Sequence, residues 1–551
     1  MQAFLHFNRY YLRQTDNGNR NGPLSKSEST PDNPQQPEAG KGRSLLRSSA
    51  VVGVMTMLSR VLGLVRDVVV ANFFGAGSSA DAFFVAFKIP NFLRRLFAEG
   101  AFAQAFVPVL SEYRSLKDLQ AVKALIDRVT GSLGLVLVFV TGIGVLGAPV
   151  LAAVFAPGFY LNDPLRYELA VDMLRFTFPY LLLISLTALA GSVLNSYERF
   201  AVPAFTPVLL NLSLIGAAIW LQPVFDQPVM ALALGVLIAG SVQLLFQLPF
   251  LWRLQLLPRP RLGFRDEGVS RIMRLMVPAL FGVSVSQINL LLDTLLASFL
   301  QVGSVSWLYY SDRLAELPLG VFGIAIATVI LPSLSRKHAE KNTETFARTL
   351  DWAMRMVLLI GFPAAMALLV LAEPLLATLF HYGAMTDSDV TMAAMSLRAY
   401  ACGLLAFMLI KVLAPGYFSR QDTKTPVKVG IIAMVVNMAL NLALIGPLAH
   451  VGLALATTLS AFLNAGLLLR GLLKEGVFVW QKGWGAFLLK LLLANASMIG
   501  LLVWLAGTPD QWLAYDLWQR VAQMAILVLG GAAVYLIVLA LLGMRAKDLR
   551  H

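Results

Sequence analysis

SRVLGLVRDVVVANFFGAGSSADAFFVAFKIPNFLRRLFAE, running from Ser59 to Glu99, is apolar enough to lie in a membrane, yet it carries eight charges. Five are basic (Arg60, Arg66, Lys88, Arg94, Arg95) and three acidic (Asp67, Asp81, Glu99), leaving a net +2. A charge at the middle of a spanning helix costs about 2.5–3.5 kcal/mol on insertion scales, so such groups tend to face a protein interior or a watery cavity and to mark a pathway. The excess of base over acid invites an anionic ligand. On a helix, Arg60 and Asp67 share one face, while Ser59 and Arg66 share another about 100° away. Asp81, Lys88, Arg95 and Glu99 follow at intervals of seven, seven and four and share a stripe. Pro90 lacks an N–H and its ring crowds the preceding turn, so it is expected to interrupt the second helix and to free carbonyls beside the Arg94–Arg95 pair.

The rest of the 551 residues fits a membrane setting. The chain is 58% apolar and only 14% charged, with a mean hydropathy of +0.71. Soluble domains average about 25% charged residues. Apolar runs of spanning length recur along the chain, which predicts an all-α polytopic membrane protein. The formal charge of +13 is not a nucleic-acid signal, because Lys and Arg lie mostly between apolar runs, where they set topology and meet the phospholipid bilayer. Cys402 is the sole cysteine, and the five histidines form no metal-binding pair, so no disulfide or metal site is read.

Residues 1–44 are polar and rich in Asn, Gly, Pro, Ser and Gln, and are expected to form a disordered cytoplasmic tail. Fourteen candidate spans follow, numbered 1–14: near 47–74, 80–111, 128–156, 166–196, 203–223, 228–252, 268–300, 304–335, 347–379, 389–418, 426–446, 449–472, 485–506 and 517–543. Their connections alternate between basic and Lys/Arg-poor, which predicts that both termini lie in the cytoplasm and that the GAGSS turn at 75–79 lies outside.

An internal repeat divides the spans. APVLAAVFAPG (148–158) resembles EPLLATLFHYG (373–383), NLSLIG (211–216) resembles NLALIG (441–446), Leu174-Arg175 matches Leu397-Arg398, and Asp67 and Gly77 match Asp293 and Gly303, all at offsets of about 225. Spans 1–6 and 7–12 therefore read as two copies of one unit, an architecture familiar in secondary transporters with a site between the halves. The organisation expected is a tail at 1–44, a first lobe at 45–255, a second at 256–475, and spans 13 and 14 with the C-terminus at 476–551.

Span 8 adds Asp312, Arg313 and Glu316 in YYSDRLAELPLG, and span 10 adds Lys411. Arginine suits phosphate because its planar fork donates two hydrogen bonds and keeps its charge when desolvated. A cluster of arginines at membrane depth thus fits a phosphate or diphosphate better than a cation. The charges neutralising one another as ion pairs is the competing reading. Asp387-Ser388-Asp389 has the DxD pattern of metal-binding glycosyltransferase sites, but it lies in a short outer loop and reads as a solvated helix cap.

LSRVLGLVRD, FFGAG, ADAFFVAFKIPNFLRRLFAEGAFAQAFVP, SVSWLYYSDRLAELPLGV and KVLAPGYFSRQDTKTPVK closely resemble the MurJ (MviN) family of lipid II flippases, in the MOP exporter superfamily, over about Leu45 to Arg545. The resemblance implies fourteen transmembrane helices, in two pseudo-symmetric six-helix lobes of MATE-like fold plus two helices extending a lipid-tail groove. It implies a transporter rather than an enzyme. The cargo would be undecaprenyl-diphosphate-linked peptidoglycan precursor, moved across the bacterial inner membrane by alternating access. It matches the family's cavity arginines to Arg60, Arg66, Arg94 and Arg313 and its acidic cavity residue to Asp81. Arg95 and Lys88 join them as substrate contacts, with Asp67, Glu99, Asp312, Glu316 and Lys411 as charge partners. No cofactor is implied, with coupling through Na+ in the second lobe or through the membrane potential left open. Other cell-wall synthesis proteins are conceivable partners. The rival is a MATE-like antiporter for cationic compounds, which would want excess acid where this chain has excess base.

Overall fold

The computed structural model describes residues 38–340 and 342–544, without the side chains of 38–50, 97–100, 281–290 and 324–329. The expected tail, up to residue 37, lies outside the described residues. Every regular element among them is helical.

Among the described residues, nine segments are long and apolar enough to cross a bilayer. One of these, Lys424–Lys474, is two helices folded back at Ala449, whose φ of 48° breaks the helical path. Four further long helical stretches complete the set: span 1 at Glu38–Phe74, span 2 at 78–116, span 7 at Glu267–Ala297 and span 8 at 304–339. The fourteen expected spans are thus all present, and these four hold most of the charges singled out above.

Two expected spans need correction. Span 3 is Leu119–Leu146, and its expected end is a separate short helix, Ala148–Phe155. Span 9 is Thr343–Val370, followed by the separate helix Ala372–Phe380. Gly147 and Leu371 break the two at equivalent places in the repeat, so each lobe turns a short helix back over its GAGSS end. Span 1 also begins at Glu38, ahead of Leu45.

Pro90 does not interrupt span 2 where expected. The α-helix continues to Arg94 and widens into a π segment over Arg95–Phe102. The carbonyl that Pro90 strands, that of Ala86, accepts a hydrogen bond from the Thr177 hydroxyl at 2.9 Å, so it is satisfied inside the first lobe. Span 8 repeats the device, with Pro318 ending the α-helix and a π segment over Leu319–Gly323. Such π bulges change which residues face a neighbour.

Span 7 changes partners along its length. Near its start, Arg271 pairs with Glu112 of span 2 at 2.8 Å, and Asp266 pairs with Arg128 of span 3. Near its end, Asp293 accepts from Asn441 of span 11 at 2.8 Å. The linker before it lies along span 3, where the Arg261 N–H donates to the Asp127 carbonyl at 3.0 Å.

Candidate functional site

The lobes meet at the GAGSS end in a seam that follows the repeat. In the first lobe, Gly158 donates its N–H to the Ser298 hydroxyl at 2.9 Å. A Cβ on Gly158 would lie 2.2 Å from the Ser298 carbonyl oxygen. In the second lobe, the chain beside the matching Gly383 does the reverse. The Ala384 N–H donates to the Asn72 carbonyl at 2.8 Å, and a Cβ on Gly383 would lie 2.2 Å from that oxygen. Gly383 has a φ of +60°, which also favours glycine. Asn72 and Ser298 end spans 1 and 7 and are themselves equivalent in the repeat.

Asp81 sits on this seam. It is fully buried, with 0% exposure. Its Oδ1 accepts from the Ser306 N–H at 2.9 Å and the Ser306 hydroxyl at 2.6 Å. Its Oδ2 accepts from the Gly303 N–H at 2.7 Å and from Arg166 at 3.2 Å. A first-lobe carboxylate thus caps the N-terminus of span 8, where free amides and the helix dipole favour an anion. Asp81 and Ser306 are repeat equivalents, so they lie near the pseudo-twofold axis. In this state Asp81 fastens the lobes rather than lining a cavity.

Seven residues from the end of span 1, about 10 Å deeper at 1.5 Å per residue, lies a second layer. Asp67 Oδ1 accepts from Arg66 Nη2 at 2.6 Å and from the Tyr309 hydroxyl at 3.0 Å, and Oδ2 accepts from Arg313 Nε at 2.9 Å. Arg66 also donates to Asn211 at 3.1 Å and to Tyr309 at 2.8 Å. Asn211 in turn donates to the Ser59 carbonyl at 3.0 Å, and Tyr309 stacks on Phe84 with ring centroids 4.0 Å apart. One carboxylate therefore holds an arginine from each lobe. Arg66, 6% exposed, reaches no open space in this state.

Glycines let the arginines cross. A Cβ on Gly63 of span 1 would lie 2.9 Å from Arg313, and one on Gly320 of span 8 would overlap the Arg60 guanidinium. Arg60 therefore lies against the second lobe and Arg313 against the first. Beyond this layer, Lys88 comes within electrostatic range of Asp293, Asp312 and Arg95. Asp312, Glu316 and Arg95 are exposed although they lie well inside the length of their spans. Glu316 stays 3.6 Å from Arg313.

Of the remaining candidates, Arg94 is half-buried and donates to Asn91 at 2.8 Å. Lys411 is exposed on span 10, and among the described contacts it meets none of these groups. The Glu99 side chain lies outside the described residues. Asp389 forms a capping box with Thr386 and accepts from Trp307 at 2.8 Å, so it is a helix cap as expected but a buried one, not a solvated one.

Charge and helical spacing alone do not single out Asn211, Tyr309, Ser306 or Arg166. Asn211 had a signal: it lies in the NLSLIG repeat, and its equivalent Asn441 bonds Asp293 just as Asn211 bonds Arg66 beside the equivalent Asp67. Tyr309 lies in the same span 8 stretch as Asp312, Arg313 and Glu316, where an uncharged hydroxyl gives no signal by charge.

Residues 70–522 match the family profile described as Lipid II flippase MurJ. The chain belongs to the MurJ lipid II flippase family. A MurJ relative from Vibrio cholerae, named a probable lipid II flippase, is 54% identical over 519 residues, covering 93% of this chain and 99% of the relative. A lipid II flippase MurJ from Burkholderia cenocepacia is 42% identical, covering 92% and 99%. Among solved structures, a MurJ lipid II flippase in an inward closed conformation superposes with a TM-score of 0.75 at 26% identity, over 89% of this chain and 98% of that one. An inward-facing MATE transporter of the MOP superfamily superposes at 0.63 and 14% identity, over 78% and 98%, and shares the fold.

Proposed function

We propose that the chain is a lipid II flippase, a transporter and not an enzyme, that carries undecaprenyl-diphosphate-linked peptidoglycan precursor from the cytoplasmic to the periplasmic leaflet of the bacterial inner membrane. The single observation that carries the mechanism is the convergence of Arg66 and Arg313, one from each lobe, on one carboxylate. Two guanidiniums around one anion form a site for a diphosphate, each fork donating two parallel N–H bonds to a pair of phosphate oxygens. Arg60, Arg94, Arg95 and Lys88 extend the positive charge. Alternating access then follows: the seam at the GAGSS end opens as the other end closes, and Asp67 gives up the arginines to the cargo.

The alternation of basic and Lys/Arg-poor connections supports placing the GAGSS end in the periplasm and both termini in the cytoplasm. The membrane potential, negative inside, favours both the outward passage of an anion and the inward return of an empty cationic site, at about 2.3 kcal/mol per charge per 100 mV. For Na+, the residues that would hold the ion are Asp293, Asn437 and Asn441, with Thr457 and Ser460 alongside. All offer oxygen donors, and Asn441 Oδ1 is buried without a hydrogen-bond partner, an acceptor that a hard cation would satisfy.

The test is charge removal at Arg60, Arg66, Arg94 and Arg313 in a strain that depends on this copy. Loss of lipid II translocation is expected in at least one, and normal growth and translocation in all four would sink the assignment. Export of a cationic dye that survives depletion of lipid-linked precursor would favour the antiporter reading instead.

A further inference from the structure

Spans 13 and 14 have no copy in the repeat, yet one residue ties them to the seam. Arg520 lies in the first turn of span 14 (Leu517–Leu541) and is 4% exposed. Among the described residues, no carboxylate lies within ion-pair distance of it. Its Nη1 donates to the carbonyls of Ala377 at 2.9 Å and His381 at 2.8 Å. Its Nη2 donates to the Leu513 carbonyl at 2.8 Å and lies 3.0 Å from His381 Nδ1. The guanidinium also sits 5.3 Å from the centre of the Tyr382 ring.

These carbonyls explain how a buried cation is tolerated. Ala377 and His381 close the C-terminal turn of Ala372–Phe380, and Leu513 lies in the last turn of Pro509–Ala514. Helix C-termini leave carbonyls unpaired and carry partial negative charge. Arg520 plugs two of them at once. The chain leaving that cap is the one that reaches Gly383 and Ala384. It is pinned again at its far end, where His381 Nε2 meets Asp387 of span 10 at 2.7 Å. Its tip closes on Asn72 and on Gly75, where a Cβ would lie 2.5 Å from the Ala384 carbonyl.

We propose that Arg520 is a positioning residue for lobe closure: by capping the helix before residues 381–386 it sets the path on which Gly383 and Ala384 meet span 1. The equivalent first-lobe contact, Gly158 on Ser298, involves no part of spans 13 and 14 in its hydrogen bonds. The added helices therefore hold one of two otherwise matched latches, and span 14 moves with the second lobe when the seam opens.

The proposal rests on the alternating-access reading, and its readout is kept separate from transport. In a Cys402→Ser background, Asn72→Cys with Ala384→Cys reports the closed latch by oxidative cross-linking in membranes without added substrate. Arg520→Met is expected to slow cross-linking at least fivefold at unchanged membrane content. Arg520→Lys is expected to restore part of the rate, because an ammonium still donates to the cap carbonyls. His381→Ala, which removes only the side-chain contacts, is expected to fall between Arg520→Met and the parent. Should Arg520→Met not accumulate, Arg520→Lys and His381→Ala are read alone. Cross-linking equal to the parent in every variant that accumulates overturns the proposal, whatever happens to translocation. Slowed cross-linking in the variants beside a parent that itself moves no lipid II supports the latch and counts against the flippase reading alone.

Discussion

Replacing Asp81 with Asn tests the seam at the level of single amides. The carboxylate has two jobs. Oδ1 receives both donors of Ser306, while Oδ2 receives the Gly303 N–H at 2.7 Å and Arg166 at 3.2 Å. An asparagine can keep its oxygen toward Ser306. Its NH2 then faces two donors, so both bonds at the Oδ2 position are lost. Hydrogen bonds to a charged group are worth about 1.5–3 kcal/mol each. Replacing two by a donor–donor contact should raise the closed state by about 3 kcal/mol or more, which is about a hundredfold in an equilibrium constant at 1.4 kcal/mol per tenfold. Hydrogen exchange in lipid nanodiscs reads this directly. The Gly303 amide should exchange about a hundredfold faster, the Ser306 amide should be less affected, and lipid II translocation should fall. Exchange at Gly303 within threefold of the parent would refute the reasoning.

Three further outcomes are expected. Asp67→Asn leaves Arg66, 6% exposed, and Arg313 without their shared carboxylate. Breaking a buried pair from one side costs about 3–5 kcal/mol, so the thermal midpoint should fall clearly, and an unchanged midpoint would remove Asp67 from the network. Gly158→Ala and Gly383→Ala each drive a Cβ to 2.2 Å from a carbonyl oxygen across the seam, whereas Gly77→Ala meets nothing within 4 Å. Translocation assays should show the first two impaired, Gly383→Ala the more because its φ of +60° also disfavours a side chain, and the third near normal. Thr177→Val strands the Ala86 carbonyl, and equilibrium unfolding should register a loss of about 1–3 kcal/mol.

Much of this molecule can be read from its sequence because membranes restrict the choices. Spans announce themselves by apolar length, and the repeat at an offset near 225 is visible in motifs such as APVLAAVFAPG and EPLLATLFHYG. What periodicity cannot supply is which side chain meets which across lobes. Asp81 reads as a member of a charged stripe and Arg66 as sharing a face with Ser59, and only the packed lobes place Asp81 on the amides of span 8. Arg166 looks like the lone charge of an outer connection, yet it is buried against Asp81 and over the Phe159 ring at 4.2 Å. Pro90 misleads for a related reason. Its local effect is certain, but Thr177, 87 residues away, absorbs it, and the widening of the helix moves to Arg95.

Beside Asp81 and its partners, the seam at the GAGSS end is lined by glycine main chain. Gly75, Gly158, Gly303 and Gly383 each lie where a single extra carbon would strike backbone or a neighbouring ring. Ordering a long side chain costs up to about 1.5–2 kcal/mol of rotamer freedom, and glycine has none to lose. Shutting such a surface therefore freezes little that was free before, and opening it releases little. The two shapes can then stay close in free energy, within the few kcal/mol that one ligand's preference for a single shape can reverse.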